Sequence, residues 1–142
     1  MTNLPDFLSQ TRDDFASLGD QDKIQLLIEF AEELPELPER YQDHPELFEK
    51  VEECQSPVYI FVDVHDGRVA VHATAPEQAP TTRGFASILV QGLTGLTVQE
   101  ALDIPDDFPS TLGLNALISP LRVRGMTGML WRMKRQIREK SI

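Results

Sequence analysis

Val58-Tyr59-Ile60-Phe61-Val62-Asp63-Val64-His65-Asp66-Gly67-Arg68-Val69-Ala70-Val71-His72-Ala73-Thr74-Ala75 is the stretch on which the fold turns. Val58 to Val64 is β-branched and aromatic, as strands are. Val69, Val71, Ala73 and Ala75 alternate with Arg68, Ala70, His72 and Thr74. That period of two turns one side of a strand inward. Between the runs, His65-Asp66-Gly67 reads as a three-residue hairpin connection, with glycine where a positive φ is needed. A third strand, from about Leu47 to Glu52, is expected to pair with the strand from Val58, although Lys50, Glu52 and Glu53 lower its β-propensity. That pairing leaves Cys54 in the connecting loop.

Helices are expected on both sides of this sheet. Asp6 after Pro5 reads as an N-cap; Phe7, Leu8, Phe15 and Leu18 follow near helical spacing, and Gly19 reads as the stop. Asp20 reads as the cap of a second helix, whose apolar stripe is Ile24, Leu27, Ile28, Ala31 and Leu34. Leu34-Pro35-Glu36-Leu37-Pro38 ends it, because each proline disfavours helical geometry in the residue before it. After the strands, Phe85 to Leu93 is apolar nearly all round and predicts a buried helix packed on the sheet. Thr97-Val98-Gln99-Glu100 matches a capping box, and Pro105 closes that piece. Met126, Met129, Leu130, Met133 and Ile137 form the apolar stripe of a last helix. The order implies an α+β fold, a small three-stranded antiparallel sheet covered by N- and C-terminal helices.

The length of 142 residues fits one domain, residues 1–142, able to bury about two-thirds of its unfolded surface. A single cysteine excludes an internal disulfide, and no Cys/His spacing suits zinc, so a free thiol in a reducing compartment is expected. Met1-Thr2-Asn3-Leu4-Pro5-Asp6 has neither a basic nor an apolar leader character, and no run is long enough to cross a membrane. A soluble cytoplasmic protein is expected. The net charge of −10 is uneven: Met1 to Cys54 carries 15 acidic and 4 basic residues, whereas Arg122 to Ile142 carries 1 and 7. An acidic body argues against phosphate-backbone binding, and so against a nucleic-acid partner. The basic C-terminal segment leaves a minor RNA-binding reading open, but Arg132, Lys134, Arg135, Arg138 and Lys140 find their stronger explanation toward the C-terminal end of a helix, where cations complement the dipole.

Cys54 lies in Val51-Glu52-Glu53-Cys54-Gln55-Ser56-Pro57, among polar turn-forming residues at the mouth of a strand. A thiol there is placed to react and not merely to pack. His44, His65 and His72 carry no motif that pairs them with it, and each reads as an ordinary surface residue. Met126, Met129 and Met133 read as core packing. Ser119-Pro120-Leu121-Arg122-Val123-Arg124-Gly125 reads as a loop holding two arginines before the final helix. A guanidinium brought near a thiolate from that loop would favour the ionised, reactive form.

Leu34-Pro35-Glu36-Leu37-Pro38, Cys54-Gln55-Ser56 before a strand, Arg83-Gly84 opening a helix, and Ser119-Pro120-Leu121-Arg122 with Gly125-Met126 and Met129 together resemble the SufE family, colinearly over nearly the whole chain. The resemblance implies a SufE/IscU-like fold and a sulfur acceptor for SufS-type cysteine desulfurases in iron–sulfur cluster assembly. Cys54 corresponds by similarity to the cysteine that takes up persulfide sulfur, and Arg122 to the arginine of the family's S/T-P-x-R-x-x-G motif. The implied partners are the desulfurase and a cluster scaffold that receives the sulfur. No cofactor is implied, and a lone cysteine argues against a scaffold role for this chain. The family usually has glycine before the cysteine and tryptophan in the following strand; Glu53 and Tyr59 stand there, and Pro57 is a further departure. Glu53 places a negative charge beside the thiol, which raises its pKa. Whether the chain counts as an enzyme stays open, since the resemblance is to a sulfurtransferase-like accessory protein. A non-carrier adaptor that stimulates a desulfurase and an independent thiol hydrolase are the alternatives.

Overall fold

The computed structural model describes residues 4–141, so Met1–Asn3, on which part of the leader reading rests, lie outside the described residues. Strands β2 (Tyr59–His65) and β3 (Arg68–Thr74) pair antiparallel, from Tyr59 opposite Thr74 to His65 opposite Arg68. Because His65 itself pairs, the connection holds two residues and not the expected three. Asp66 and Gly67 have φ of 53° and 76°. Two consecutive left-handed residues make the tight turn whose twist matches that of the flanking strands.

Strand β1 is only Glu49–Lys50, opposite Ile60 and Tyr59, in a sheet of order β1-β2-β3. It is shorter than the expected Leu47–Glu52, since Pro45–Leu47 forms a 3-10 turn and the chain leaves the sheet after Val51. Beyond it, the edge of β2 is sealed by a helix. Gln136 Oε1 accepts a hydrogen bond from the Val62 amide at 2.8 Å, and Lys140 Nζ donates to the Val62 carbonyl. Side chains thus occupy the peptide groups that an unpaired edge would expose.

One face of the hairpin, Ile60, Val62, Val69, Val71 and Ala73, is buried in the core. The other carries a small aromatic cluster. Tyr41, from the short helix α3 (Glu39–Gln42), packs edge-on against Phe61 and tilted against His72, with ring centroids 5.1 and 4.9 Å away. His72 is therefore half-buried and not an ordinary surface residue, and its Nε2 has no hydrogen-bond partner. Burial, aided by Arg40, holds its pKa below the ordinary value.

Helices α4 (Pro80–Leu93), α5 (Val98–Leu102) and α6 (Pro120–Lys140) pack on the sheet, and α1 (Asp6–Ala16) and α2 (Asp20–Glu32) pack on α4. Pro5 and Gly19 occupy the N-cap positions of α1 and α2, so Asp6 and Asp20 are first-turn residues that complement the helix dipole, not caps. Gly19 opens α2 and does not stop α1, which ends at Ala16. Helix α4 is buried nearly all round, as its composition predicts. Its Gly84 lies so close to α2 that a Cβ would collide with the Leu27 carbonyl oxygen. Arg83 fastens the same junction: Nε donates to the Ala31 carbonyl at 3.0 Å and Nη1 to the Ala75 carbonyl at 2.6 Å. Thr97 and Glu100 form the expected capping box at α5, with bonds of 3.1 and 2.9 Å. The methionine stripe of α6 is fully buried. Among the described residues no helix is long and apolar enough to cross a membrane.

Candidate functional site

The loop between β1 and β2 is pinched at its base by a hydrogen bond from the Val51 amide to the Val58 carbonyl, 2.9 Å. At its tip the Cys54 amide donates to the Val51 carbonyl at 3.1 Å, closing a turn that directs the side chain toward α6. Gly125 meets it there. A Cβ on Gly125 would lie 3.0 Å from the Cys54 Sγ, so the absence of a side chain there lets the sulfur pack closely against the helix.

Cys54 is thus partly buried and packed against the core, more enclosed than its polar neighbours in sequence imply. Burial, and after it the Glu53 charge, pushes the thiol up to about 11 from an ordinary 9.0; Arg132 works in the opposite direction. Burial acts because the thiolate loses hydration when it leaves water. The expected effect of Glu53 has the right sign and is the smaller of the two causes.

A cavity of about 220 Å³ opens beside the sulfur, lined by Gln55, Ser56, Gln78, Thr82, Leu121 and Arg122 among others. Cys54 and Arg122 therefore line one cavity, but not in the way the sequence implied. Ser119 is the N-cap of α6, its Oγ accepting from the Arg122 amide at 3.4 Å, and Pro120 is the first helical residue. Arg122 and Arg124 thus stand exposed in the first turns of α6 and not in a loop. The reason is local: serine followed by proline starts a helix, since proline's missing N–H is unneeded at the first position. The N-terminus of α4 borders the same cavity through Pro80, Thr81 and Thr82. Neither α4 nor α6 carries an acidic residue in its first turn, so both positive dipole ends face the site without a counter-charge from their own first turns.

The basic residues of α6 do more than complement its dipole. Arg132 Nη1 pairs with Glu49 Oε2 at 2.7 Å, and its Nε and Nη2 donate to Glu53 Oε1 at 3.1 and 2.9 Å. Arg135 also pairs with Glu49. Lys134 is buried and donates to the Ile104 carbonyl and to Asp106 Oδ1, the latter at 2.7 Å. Against the effect of burial, hydrogen bonds from Gln136 and Arg132 hold the Glu49 carboxyl below its ordinary value. Part of the acidic N-terminal third and the basic C-terminus thus neutralise each other across the fold. Arg132 was not legible as a site residue, because its partners lie 79 and 83 positions away.

Of the histidines, His44 lies beside Glu46 and His65 beside Asp66, both exposed. Neither they nor His72 line the Cys54 cavity. Among the described residues no group of His, Cys, Asp and Glu is arranged to hold a metal ion.

Residues 9–137 match the family described as SufE: Fe-S metabolism associated domain. The chain is 51% identical over 138 residues to an uncharacterized SufE-like protein of Mycobacterium tuberculosis, covering 96% of this chain and 95% of that one. It is 25% identical over 114 residues to a Plasmodium vivax protein named cysteine desulfuration protein SufE, covering 79% of this chain and 44% of that one. Its fold superposes on the solution structure of a hypothetical protein from Thermus thermophilus with a TM-score of 0.84 and 33% identity, over 97% of this chain and 98% of that one. A thiol-bearing loop folded against a glycine of the last helix is thus set in a chain that belongs to the SufE family.

Proposed function

We propose that this protein, acting as one SufE-like domain in the cytoplasm, takes sulfur from the persulfide of a SufS-type cysteine desulfurase onto Cys54. It then delivers that sulfur for iron–sulfur cluster assembly. The observation that carries this reading is the placement of the chain's one thiol at the tip of a pinched loop, beside a cavity shared with Arg122 and two helix N-termini. The Cys54 thiolate attacks the outer sulfur of the donor persulfide. A new S–S bond forms on Cys54, the donor's S–S bond breaks, and the donor cysteine leaves as thiolate. The two helix N-termini favour negative charge on the reacting sulfurs, which passes from nucleophile to leaving group during the exchange, and Arg122 serves either to support that charge or to dock on an acidic patch of the desulfurase.

A thiol raised to about 11 is a poor nucleophile in the free protein at neutral pH. That observation supports the adaptor reading, in which the chain stimulates a desulfurase without carrying sulfur. It is compatible with the carrier reading when the loop leaves α6 upon docking and the sulfur regains hydration. The wild type and Cys54→Ser, incubated with desulfurase and L-cysteine, separate the two by intact mass. The carrier gains sulfur on the wild type alone. Equal stimulation of desulfurase turnover by both proteins, with no sulfur added to either, establishes the adaptor.

A further inference from the structure

The tip of the Cys54 loop has almost no main-chain attachment. Between Glu52 and Pro57 the described residues show one backbone hydrogen bond, from Cys54 to Val51 within the loop itself, and no side-chain hydrogen bond from Gln55 or Ser56. What holds the tip to α6 is a pair of close approaches one helical turn apart. At Gly125 the helix backbone meets Cys54. At Gly128 a Cβ would lie 2.7 Å from the Glu53 carboxyl carbon and 2.8 Å from its Oε1. Both glycines are buried in the interior of a 21-residue helix, where glycine is disfavoured by its backbone entropy. Their use at two positions three apart puts bare backbone on one helix face, under two consecutive loop residues.

Arg132 lies one further turn along that face and completes the seat. Its side chain is only 16% exposed, and it binds the Glu53 carboxylate through two nitrogens while a third bond reaches Glu49 on β1. A partly buried, multiply bonded pair of this kind is screened less than a surface one and costs more to break. We propose that Glu53, seated on Gly128 and gripped by Arg132, is a latch that holds the Cys54 loop shut against α6, making these three the positioning residues of the nucleophile. The purpose of the latch rests on the reading of Cys54 as sulfur acceptor; its existence does not.

Gly128→Ala tests it cleanly, because the substitution keeps every charge and puts a methyl group where the carboxylate sits. Hydrogen exchange of the Val51 and Cys54 amides, the two in this loop that donate backbone hydrogen bonds, read by mass spectrometry on the full chain, reports loop opening without reference to thiol ionisation. Exchange is expected to quicken about tenfold in Gly128→Ala and in Arg132→Gln, with only partial recovery in Arg132→Lys, which keeps the cation but not the fork that spans Glu53 and Glu49. In a Glu53→Gly background the added methyl should change nothing. Wild-type exchange in Gly128→Ala, or the same increment with and without Glu53, overturns the latch. If Gly128→Ala does not fold, the Glu53→Gln and Arg132→Gln cycle decides: non-additive quickening supports the latch and additive quickening overturns it. Desulfurase-dependent sulfur gain on the same wild-type protein is scored separately. Its absence refutes the acceptor reading while leaving the exchange result to judge the latch.

Discussion

Gly125→Ala puts the packing of the nucleophile to a direct test. The new Cβ would sit 3.0 Å from the Cys54 Sγ. Comfortable non-bonded separations begin near 3.5 Å even for two carbons, so the sulfur must retreat by a few tenths of an ångström. Helix α6 gains about 1 kcal/mol from replacing an interior glycine. Overpacking typically costs about 1–3 kcal/mol, and here the loop tip, with one backbone hydrogen bond, yields more readily than the helix. Net stability should therefore change by less than about 2 kcal/mol. Reactivity should change more. Burial is the first cause of the thiol's rise from 9.0 to about 11, which leaves little thiolate at neutral pH. A sulfur pushed out toward solvent should alkylate at least about tenfold faster there. The assay is the rate of thiol alkylation from pH 7 to 11, with thermal unfolding run alongside. The wild-type profile is expected to rise tenfold per pH unit up to about 11, and the variant's midpoint to fall toward 9. Identical profiles in a folded variant would refute the claim that enclosure against Gly125 holds the thiol protonated.

Arg122→Ala should impair sulfur transfer while changing stability by less than about 0.5 kcal/mol, since the side chain is exposed in the first turn of α6. Loss of affinity for the desulfurase with an unchanged alkylation profile would identify docking, the reverse would identify activation of the thiol, and wild-type transfer would remove Arg122 from the site. Gln136→Leu orphans the buried Val62 amide and strips a donor from Glu49, so urea unfolding should show a loss of about 1–3 kcal/mol. The thiol also predicts an alkaline weakness. Its pKa is higher folded than unfolded, so the folded state binds that proton more tightly; its contribution is intact below pH 9 and is lost as pH rises toward about 11. Cys54→Ser should flatten stability against pH in that window, and a slope equal to the wild type's would contradict the assignment.

What the sequence determined by itself was everything that repeats at short range. The alternation from Val69 to Ala75, the all-round apolarity of Phe85 to Leu93, the Thr97 capping box and the methionine stripe of α6 are periodic or local signals, and the structure bears each of them out. The family was legible for the same reason, because its motifs are short runs in a fixed order. Where local rules compete, the sequence left the outcome to context. His65 joins the ladder because Asp66 and Gly67 both accept positive φ, and Ser119-Pro120 begins a helix although the run to Gly125 also suits a loop. The chemistry of Cys54 belonged to neither category. Its polar neighbours in the chain point to an exposed thiol, while its enclosure comes from Gly125, 71 positions away. Likewise Glu53 reads as a lone charge beside the sulfur until Arg132 and Gly128 meet it across the fold. Hydration, dielectric and steric closeness are properties of the space around an atom, and the tertiary structure alone assembles that space from residues distant in sequence.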